Sequence, residues 1–368
     1  MKRVLIIGGY GNFGRFIARM LARESNIQVI VAGRSITKAQ DLANDLSARN
    51  APEAAFVDVN KGLDETLAAL RPQIVIHTSG PFQGQGYGVA ESCIRAGVHY
   101  IDLADGRDFV AGIGVLHQAA EQRGVLVCTG ASTVPCLSAA VIDHYASRFR
   151  ALLEVHYGIA TAHLASPGLA TTTAVLSYAG KPFTTLIKGK METVHGWLGL
   201  KWRRFRGLNL RPLGNCDIPD LALFPARYPS LRTIRFQSGL ELKVLHLMLA
   251  LLSSLVRIGL LPSLQPMAPF LMRASHLFDA LGGDSSGFYM TMRGIGKDGE
   301  DKSVTFDLIA RQSHGLYIPA MPAILLAKKL ANGDFAEVGG RPCVDLISLD
   351  EYLTGLGEFD IAWRDDLS

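Results

Sequence analysis

The sequence has 368 residues, room for two domains at about 150 residues each. Hydrophobic residues are 48%, charged ones 19%, and the formal net charge is +4, which excludes a disordered chain and gives no basic footprint for nucleic acid. Glycine, at 38 residues, exceeds the usual ~7%, and the five cysteines form no CxxC pair, so tight turns and a reduced, cytoplasmic protein are expected rather than a disulfide framework or zinc ribbon.

Met1-Lys2-Arg3 has the charge of a signal n-region, but the apolar run 4–7 stops at Gly8. A signal h-region needs about 7–15 apolar residues, so a first buried strand is expected instead. A helix comes next, with Phe13, Phe16, Ile17, Met20 and Leu21 on one stripe. Then come strand 27–32, a polar helix around 38–48, and strands 55–57, 74–77, 98–101 and 125–128. Near-continuous apolar strands separated by helices predict a parallel sheet covered on both faces, an α/β doubly wound Rossmann-type domain over residues 1–149.

The second half predicts an α+β domain over residues 150–318 with a mixed or antiparallel sheet. Runs 152–160 and 231–236 read as strands. Runs 288–293 and 303–309 alternate, and Gly296-Lys297-Asp298-Gly299 between them signals an antiparallel hairpin. Residues 318–330 read as a helix ending before Asn332-Gly333.

Gly9-Tyr10-Gly11-Asn12-Phe13-Gly14 is a G-x-G-x-x-G directly after a strand and opening a helix, the context that a dinucleotide fingerprint requires. Gly9 permits the turn, Gly11 lets backbone approach a pyrophosphate, and Gly14 lets helix and strand pack closely. An NAD site would place Asp or Glu about 20 residues further on, whereas Arg34 stands there. A guanidinium can clamp a 2′-phosphate bidentately, with Ser35 adding a hydroxyl and Lys38 a charge, so NADP(H) is expected over NAD(H). Asp58 either reaches the adenine side or caps a helix 61–70.

In doubly wound sheets the ligand lies beyond the carboxyl ends of the strands. Ser79, Gly80, Pro81 and Phe82 come after the fourth strand and are assigned to the nicotinamide ribose side. Hydride chemistry on a C–N or C–O carbon needs a group to manage one proton, and His77, Tyr100 and Asp102 are the catalytic candidates. A satisfied buried histidine and a turn-capping Asp102 are the plain alternatives. Asp105, Arg107 and Ser132 are candidate substrate contacts. Cys136, after Pro135, reads as a packing residue rather than a nucleophile, and no His/Glu/Cys spacing supports a metal.

The series Ile76-His77-Thr78-Ser79-Gly80-Pro81-Phe82, Cys93-Ile94-Arg95-Ala96-Gly97-Val98-His99-Tyr100-Ile101-Asp102 and Gly130-Ala131-Ser132-Thr133-Val134-Pro135 resembles the saccharopine dehydrogenase (saccharopine reductase-like) family. Ile318-Pro319-Ala320 and Gly339-Gly340-Arg341-Pro342 are similar to it too. The resemblance implies an N-terminal NAD(P) domain, an α+β domain for substrate and homodimer contacts, and residues 319–368 packing back on the first domain. It implies an oxidoreductase acting on an amino acid, imine or oxo acid. Absence of Tyr-x-x-x-Lys, since Lys181 follows Tyr178 at three residues, disfavours a short-chain dehydrogenase, and absence of Glu-Lys-Pro a sugar-type one.

Two segments leave alternatives. The run Lys201-Trp202-Arg203-Arg204-Phe205-Arg206 reads as a solvated loop, a subunit contact or an anion clamp rather than a nucleic-acid site. Residues 244–256 carry no formal charge, and Pro262 and Pro266 interrupt the apolar chain beyond Arg257. A span needs about 20 apolar residues, so no transmembrane segment is expected in 244–272; burial, within the chain or at a dimer face, is favoured over interfacial lipid contact. The absence of a clear acid/base set keeps open a non-catalytic NADP-binding sensor or a membrane-associated scaffold, and the apolar stretch 242–272 a reductase for an apolar, lipid-like substrate.

Overall fold

The computed structural model describes residues 1–165 and 168–367. In chain order its strands are β1 (Lys2–Ile7), β2 (Ile27–Gly33), β3 (Glu53–Phe56), β4 (Ile74–His77), β5 (His99–Asp102), β6 (Leu126–Thr129), β7 (Phe149–Thr161), β8 (Pro182–Ile187), β9 (Lys190–His195), β10 (Lys201–Arg204), β11 (Leu210–Asn215), β12 (Thr233–Leu240), β13 (Ser286–Gly296), β14 (Asp301–Ala310), β15 (Gly339–Pro342) and β16 (Ile361–Leu367). The chain forms two units: Met1–Leu137 with Tyr317–Gly355, and Ser138–Leu316 with the chain from Leu356 on.

The first unit holds a seven-stranded sheet in the order β15-β6-β5-β4-β1-β2-β3, with every pairing parallel. Val4, Leu5, Ile6, Val75, Ile76, Ile101, Leu126 and Val127 are wholly buried, as expected of strands covered on both faces. Helices α1 (Asn12–Leu21), α2 (Ile36–Asp45), α3 (Leu63–Leu70) and α4 (Gly88–Ala96) make the crossovers. Helix α1 buries Phe16, Ile17, Met20 and Leu21, the stripe read from the sequence. The strand order reverses between β1 and β4, and that switch point opens the ligand crevice of a doubly wound sheet.

The second unit holds a mixed sheet in the order β10-β11-β12-β7-β13-β14-β16. The central pair β12–β7 is parallel, and its neighbours are antiparallel. The expected hairpin is β13–β14, closed by a turn in which Gly296 N–H donates to the Glu300 carbonyl and Gly299 N–H to the Gly296 carbonyl. Strands β8 and β9 form a separate two-stranded ribbon.

Three expectations change here. The C-terminal strand β16 pairs with β14, so the tail joins the second unit's sheet; only Tyr317–Gly355 returns to the first unit. The basic run is no loop: residues 201–204 are the edge strand β10, register-paired with β11. Its cations are partly consumed internally, since Arg203 lies over the Tyr289 ring at 3.9 Å and 3.6 Å from Asp307, and Arg206 pairs with Asp366.

The third change concerns residues 244–272. The helix Lys243–Arg257 buries His246, Leu249 and Ser253 but leaves Val244, Leu247, Met248 and Leu251 exposed, so burial within the chain holds for one face of it only. Leu249 joins Leu176, Trp197, Leu264 and Ala268 in a small core beneath that helix.

Candidate functional site

The site is built at the carboxyl ends of the first unit's strands. After Ile7 the chain turns at Gly8, whose φ of +80° lies in the left-handed region. A Cβ there would stand 2.6 Å from Ser79 Oγ and 2.7 Å from Thr78 Oγ1, so only glycine lets the loop pass under the β4 tip. The N–H groups of Gly8 and Gly9 both donate to the Ala32 carbonyl at 2.9 Å. Thr78 Oγ1 donates to the Ile7 and Gly8 carbonyls, lacing β4 to the turn. A Cβ on Gly14 would run into the Gly8 carbonyl oxygen and the Gly9 backbone, which makes it the close-packing glycine of the series.

Gly11 is the N-cap of α1 in an extended conformation, and no side chain caps the helix. The first turn of α1 thus carries the positive end of the helix dipole with no side chain lying over it. This open, glycine-lined cradle fits a pyrophosphate. Ser79, Gly80 and Pro81 are half-buried beside it. Phe82 is buried, edge-on to His77 at 5.2 Å and tilted against Phe109 at 5.3 Å, so it supports the wall from behind.

At the β2 tip, Tyr10 from the loop lies on Gly33, and its hydroxyl accepts the Ser35 N–H at 3.0 Å. Arg34 and Lys38 are exposed there. Ser35 is the N-cap of α2, with its hydroxyl accepting the Lys38 N–H at 3.4 Å. Its side chain thus serves the helix first. Asp58 folds its own turn, accepting the Asn60 N–H at 3.1 Å; α3 begins at Leu63 behind Gly62, so the cap reading for Asp58 does not hold.

The three proton-handling candidates form one buried column. Asp102 is 0% exposed, and its Oδ1 accepts from Ala104 N–H, Thr129 Oγ1 and Gly130 N–H at 2.8–2.9 Å. The Ala131 N–H donates to its carbonyl. Asp102 therefore ties the β5 tip to the β6 tip and to the loop beyond it. Burial raises its pKa to about 6, against the downward pull of those hydrogen bonds. Tyr100 sits two residues earlier on the same strand face, and its hydroxyl pKa is raised by burial and by the Asp102 charge. It meets His77 Nδ1 at 3.1 Å. Burial lowers His77 to about 4, and Nε2 has no hydrogen-bond partner among the described residues.

Asp105 is half-buried, with its carboxylate accepting from Gln83 Nε2 at 3.0 Å and its pKa raised by burial. Arg107, half-buried, opens the short helix Arg107–Ala111. Ser132 is buried in the loop anchored by Asp102, with its N–H donating to the Gly130 carbonyl. All five cysteines are buried and none is in a disulfide, Cys136 among them. No group of three or more His, Cys, Asp or Glu residues among the described residues could hold a metal.

Sequence reasoning placed Thr78, Thr129 and Gly130 at the strand tips but missed Gly8 and the clamp that Thr129 and Gly130 form on Asp102. The Gly8-Gly9 doublet immediately after a strand was a usable signal for the first. No signal existed for the clamp, which joins residues 27 and 28 apart.

Residues 4–144 match the family model for the saccharopine dehydrogenase NADP binding domain. The trans-acting enoyl reductase of Mycobacterium leprae (strain TN) is 28% identical over 138 residues, covering 36% of this chain and 33% of that protein. That of Mycobacterium tuberculosis (strain ATCC 25618 / H37Rv) is 27% identical over 141 residues, with the same shares. The chain thus spans about a third of the length of the curated relatives it matches. Saccharopine dehydrogenase (L-Glu forming) from Saccharomyces cerevisiae aligns over 100% of both chains with a TM-score of 0.69 at 15% identity, a likeness of fold.

Proposed function

From the premise that the chain belongs to the saccharopine dehydrogenase family through its NADP binding domain, we propose that it is an NADP(H)-dependent oxidoreductase acting on an amino acid, imine or oxo-acid type substrate. The observation that carries the cofactor half is the pairing of an uncapped, glycine-lined helix N-terminus with exposed Arg34 and Lys38 at the β2 tip. A bound nicotinamide would supply or accept the hydride. Gly9, Gly11 and Gly14 keep side chains out of the pyrophosphate's path, Asn12 and Phe13 form the first turn beside it, and Tyr10 closes the β2 tip. Arg34 clamps a 2′-phosphate. Ser79, Gly80 and Pro81 flank the reactive end, with Phe82 packed behind them.

We assign Asp105 and Arg107 to substrate contact and Asp102 to positioning. Asp102 holds the loop carrying Gly130 and Ser132 at a fixed height above the sheet, with the neutral His77 and Tyr100 beneath it. A carboxylate that already accepts three hydrogen bonds and sees no solvent is suited to orienting the site rather than to exchanging a proton with substrate.

A second reading, a reductase for an apolar, lipid-like substrate, is favoured by the exposed apolar residues of the Lys243–Arg257 helix and by the enoyl reductase names of the matched relatives. Titrating NADPH and NADH against the protein tests the cofactor half. NADPH should bind more tightly, and equal affinities would overturn the assignment to Arg34. Following NADPH oxidation with oxo acid plus amine, and separately with an α,β-unsaturated acyl thioester, separates the two substrate readings.

A further inference from the structure

One face of the second unit has no role in the cofactor site. On the Lys243–Arg257 helix, Val244, Leu247, Met248, Leu251 and Leu255, with Ile258 just beyond, fall within about 60° of one direction at ~100° per residue. Opposite them lie the buried His246, Leu249 and Ser253. Leu251 is 62% exposed, and the apolar surface continues through Leu260 at 68%, Phe270 at 65% and Leu277 at 84%. Soluble monomers seldom leave so extended an apolar surface in water.

We propose that this face docks on an anionic lipid membrane, lying in the interface with its apolar side chains among the headgroups and upper acyl chains. The charge pattern selects that occupant. From residue 242 to 278 there is no Asp or Glu, while Lys243, Arg257 and Arg273 are present and exposed. None of the three is paired with a carboxylate among the described residues. A second copy related by a two-fold axis would set this stretch, free of Asp and Glu from 242 to 278, against itself and bring like cations together. An anionic headgroup layer offers a partner for each while taking up the leucines.

The length agrees. Fifteen residues at ~1.5 Å make about 22 Å, short of a ~30 Å hydrocarbon core, and no described helix is long and apolar enough to cross a membrane. The face is held rigidly, so docking needs no refolding. Gly180 has no side chain where the Ser253 carbonyl approaches, which lets the helix seat on its core. Asp279 joins His163 at 2.9 Å and His276 at 3.2 Å, fixing the turn that carries Leu277.

The test is flotation of the full chain, without cofactor, on phosphatidylcholine vesicles with and without phosphatidylglycerol. Flotation reads neither nucleotide binding nor turnover, so its outcome is independent of the proposed function. Wild type should float with the anionic vesicles and more weakly with the neutral ones. Leu247→Glu with Leu251→Glu should abolish flotation while NADPH binding and melting temperature stay unchanged. Lys243→Gln with Arg257→Gln should lower partitioning about fivefold for each charge removed, the equivalent of ~1 kcal/mol per basic residue near the surface. If the double leucine variant does not fold, Leu251→Trp reads the same contact, with a blue-shifted emission on adding anionic vesicles. Absence of flotation on anionic vesicles, flotation unchanged in the folded double leucine variant, or no emission shift in the Leu251→Trp protein would overturn the proposal. A wild-type dimer that stays off vesicles and dissociates in the double leucine variant would assign the face to a second copy instead.

Discussion

The β1 tip and the β5 tip of the same sheet use glycine and acid to opposite ends. At β1, three glycines strip the side chains away from the N-terminus of α1, which no side chain caps. At β5, the backbone N–H groups of Ala104 and Gly130 turn inward onto Asp102 Oδ1, so these two donors are taken within the fold. Polar residue type at a strand end therefore does not by itself mark chemistry. What decides is whether the donors point out or are already satisfied within the fold.

The sharpest way to break this comparison is to fill the first tip. Gly14→Val would press a branched side chain into the Gly8 carbonyl and Gly9 backbone. A loss of about 3 kcal/mol, at the top of the usual range for overpacking, is expected, together with loss of NADPH binding. Thermal or denaturant unfolding checks the first and a fluorescence titration the second. Wild-type-like stability would mean that helix and strand do not approach as closely as the glycine implies.

The second tip is sharpened by pH. Asp102 has a folded pKa of about 6 against an ordinary 3.8, so its contribution to stability is present at low pH and is lost as pH rises through 6. His77 has a folded pKa of about 4 against 6.5, so its contribution is present above 6.5 and is lost as pH falls towards 4. Between pH 4 and 6 the two slopes oppose and nearly cancel. Asp102→Asn keeps an acceptor at Oδ1 and removes one slope, so stability should fall by roughly 1.4 kcal/mol per unit as pH drops below 6. His77→Gln should show the reverse, with stability rising as pH drops. Urea midpoints across that range measure both, and parallel profiles in all three proteins would contradict the buried column. If Asp102 only positions its loop, the Asn variant should also keep most of its turnover, whereas an acid or base would lose it.

Arg34→Ala tests a smaller term. It should weaken NADPH by about 2 kcal/mol, the scale of a charge-assisted hydrogen bond, and leave NADH nearly unchanged. Smallest is Ser35→Ala, where the two roles of one hydroxyl separate. As a helix cap it should lower stability by about 0.5–1 kcal/mol with no preference between cofactors. A loss confined to NADPH affinity would instead place the hydroxyl on the phosphate.

Much of the first unit was legible because its strands are continuous apolar runs and its loop is a spacing of glycines. Both signals are local. The β13–β14 hairpin was legible for the same reason, with alternation on either side of a glycine turn. The parallel pairing of β12 with β7 was not, since Thr233 meets Glu154 across 79 positions and no periodicity encodes a partner. Strand β15, Gly339-Gly340-Arg341-Pro342, has little strand propensity, yet it pairs with Leu126–Thr129; a Cβ on Gly339 would strike His117, so glycine is what fits there. The burial of Asp102 was hidden because it depends on hydroxyl and backbone donors from the next strand. On the Lys243–Arg257 helix the apolar count was plain, but burial of only one face came from which neighbours the fold supplies.

That late strand has a consequence during synthesis. The β6 edge is complete only when β15 arrives, roughly 200 residues later, which at ~5–20 residues per second leaves it open for some 10–40 seconds on the ribosome. Throughout that interval the nascent nucleotide-binding sheet presents an unpaired parallel edge with Leu126, Val127 and Cys128 uncovered, the kind of template on which chains aggregate. A gene fragment ending at residue 316 would freeze the chain in that condition, so isolating the nucleotide-binding half requires splicing residues 317–355 directly onto residue 137.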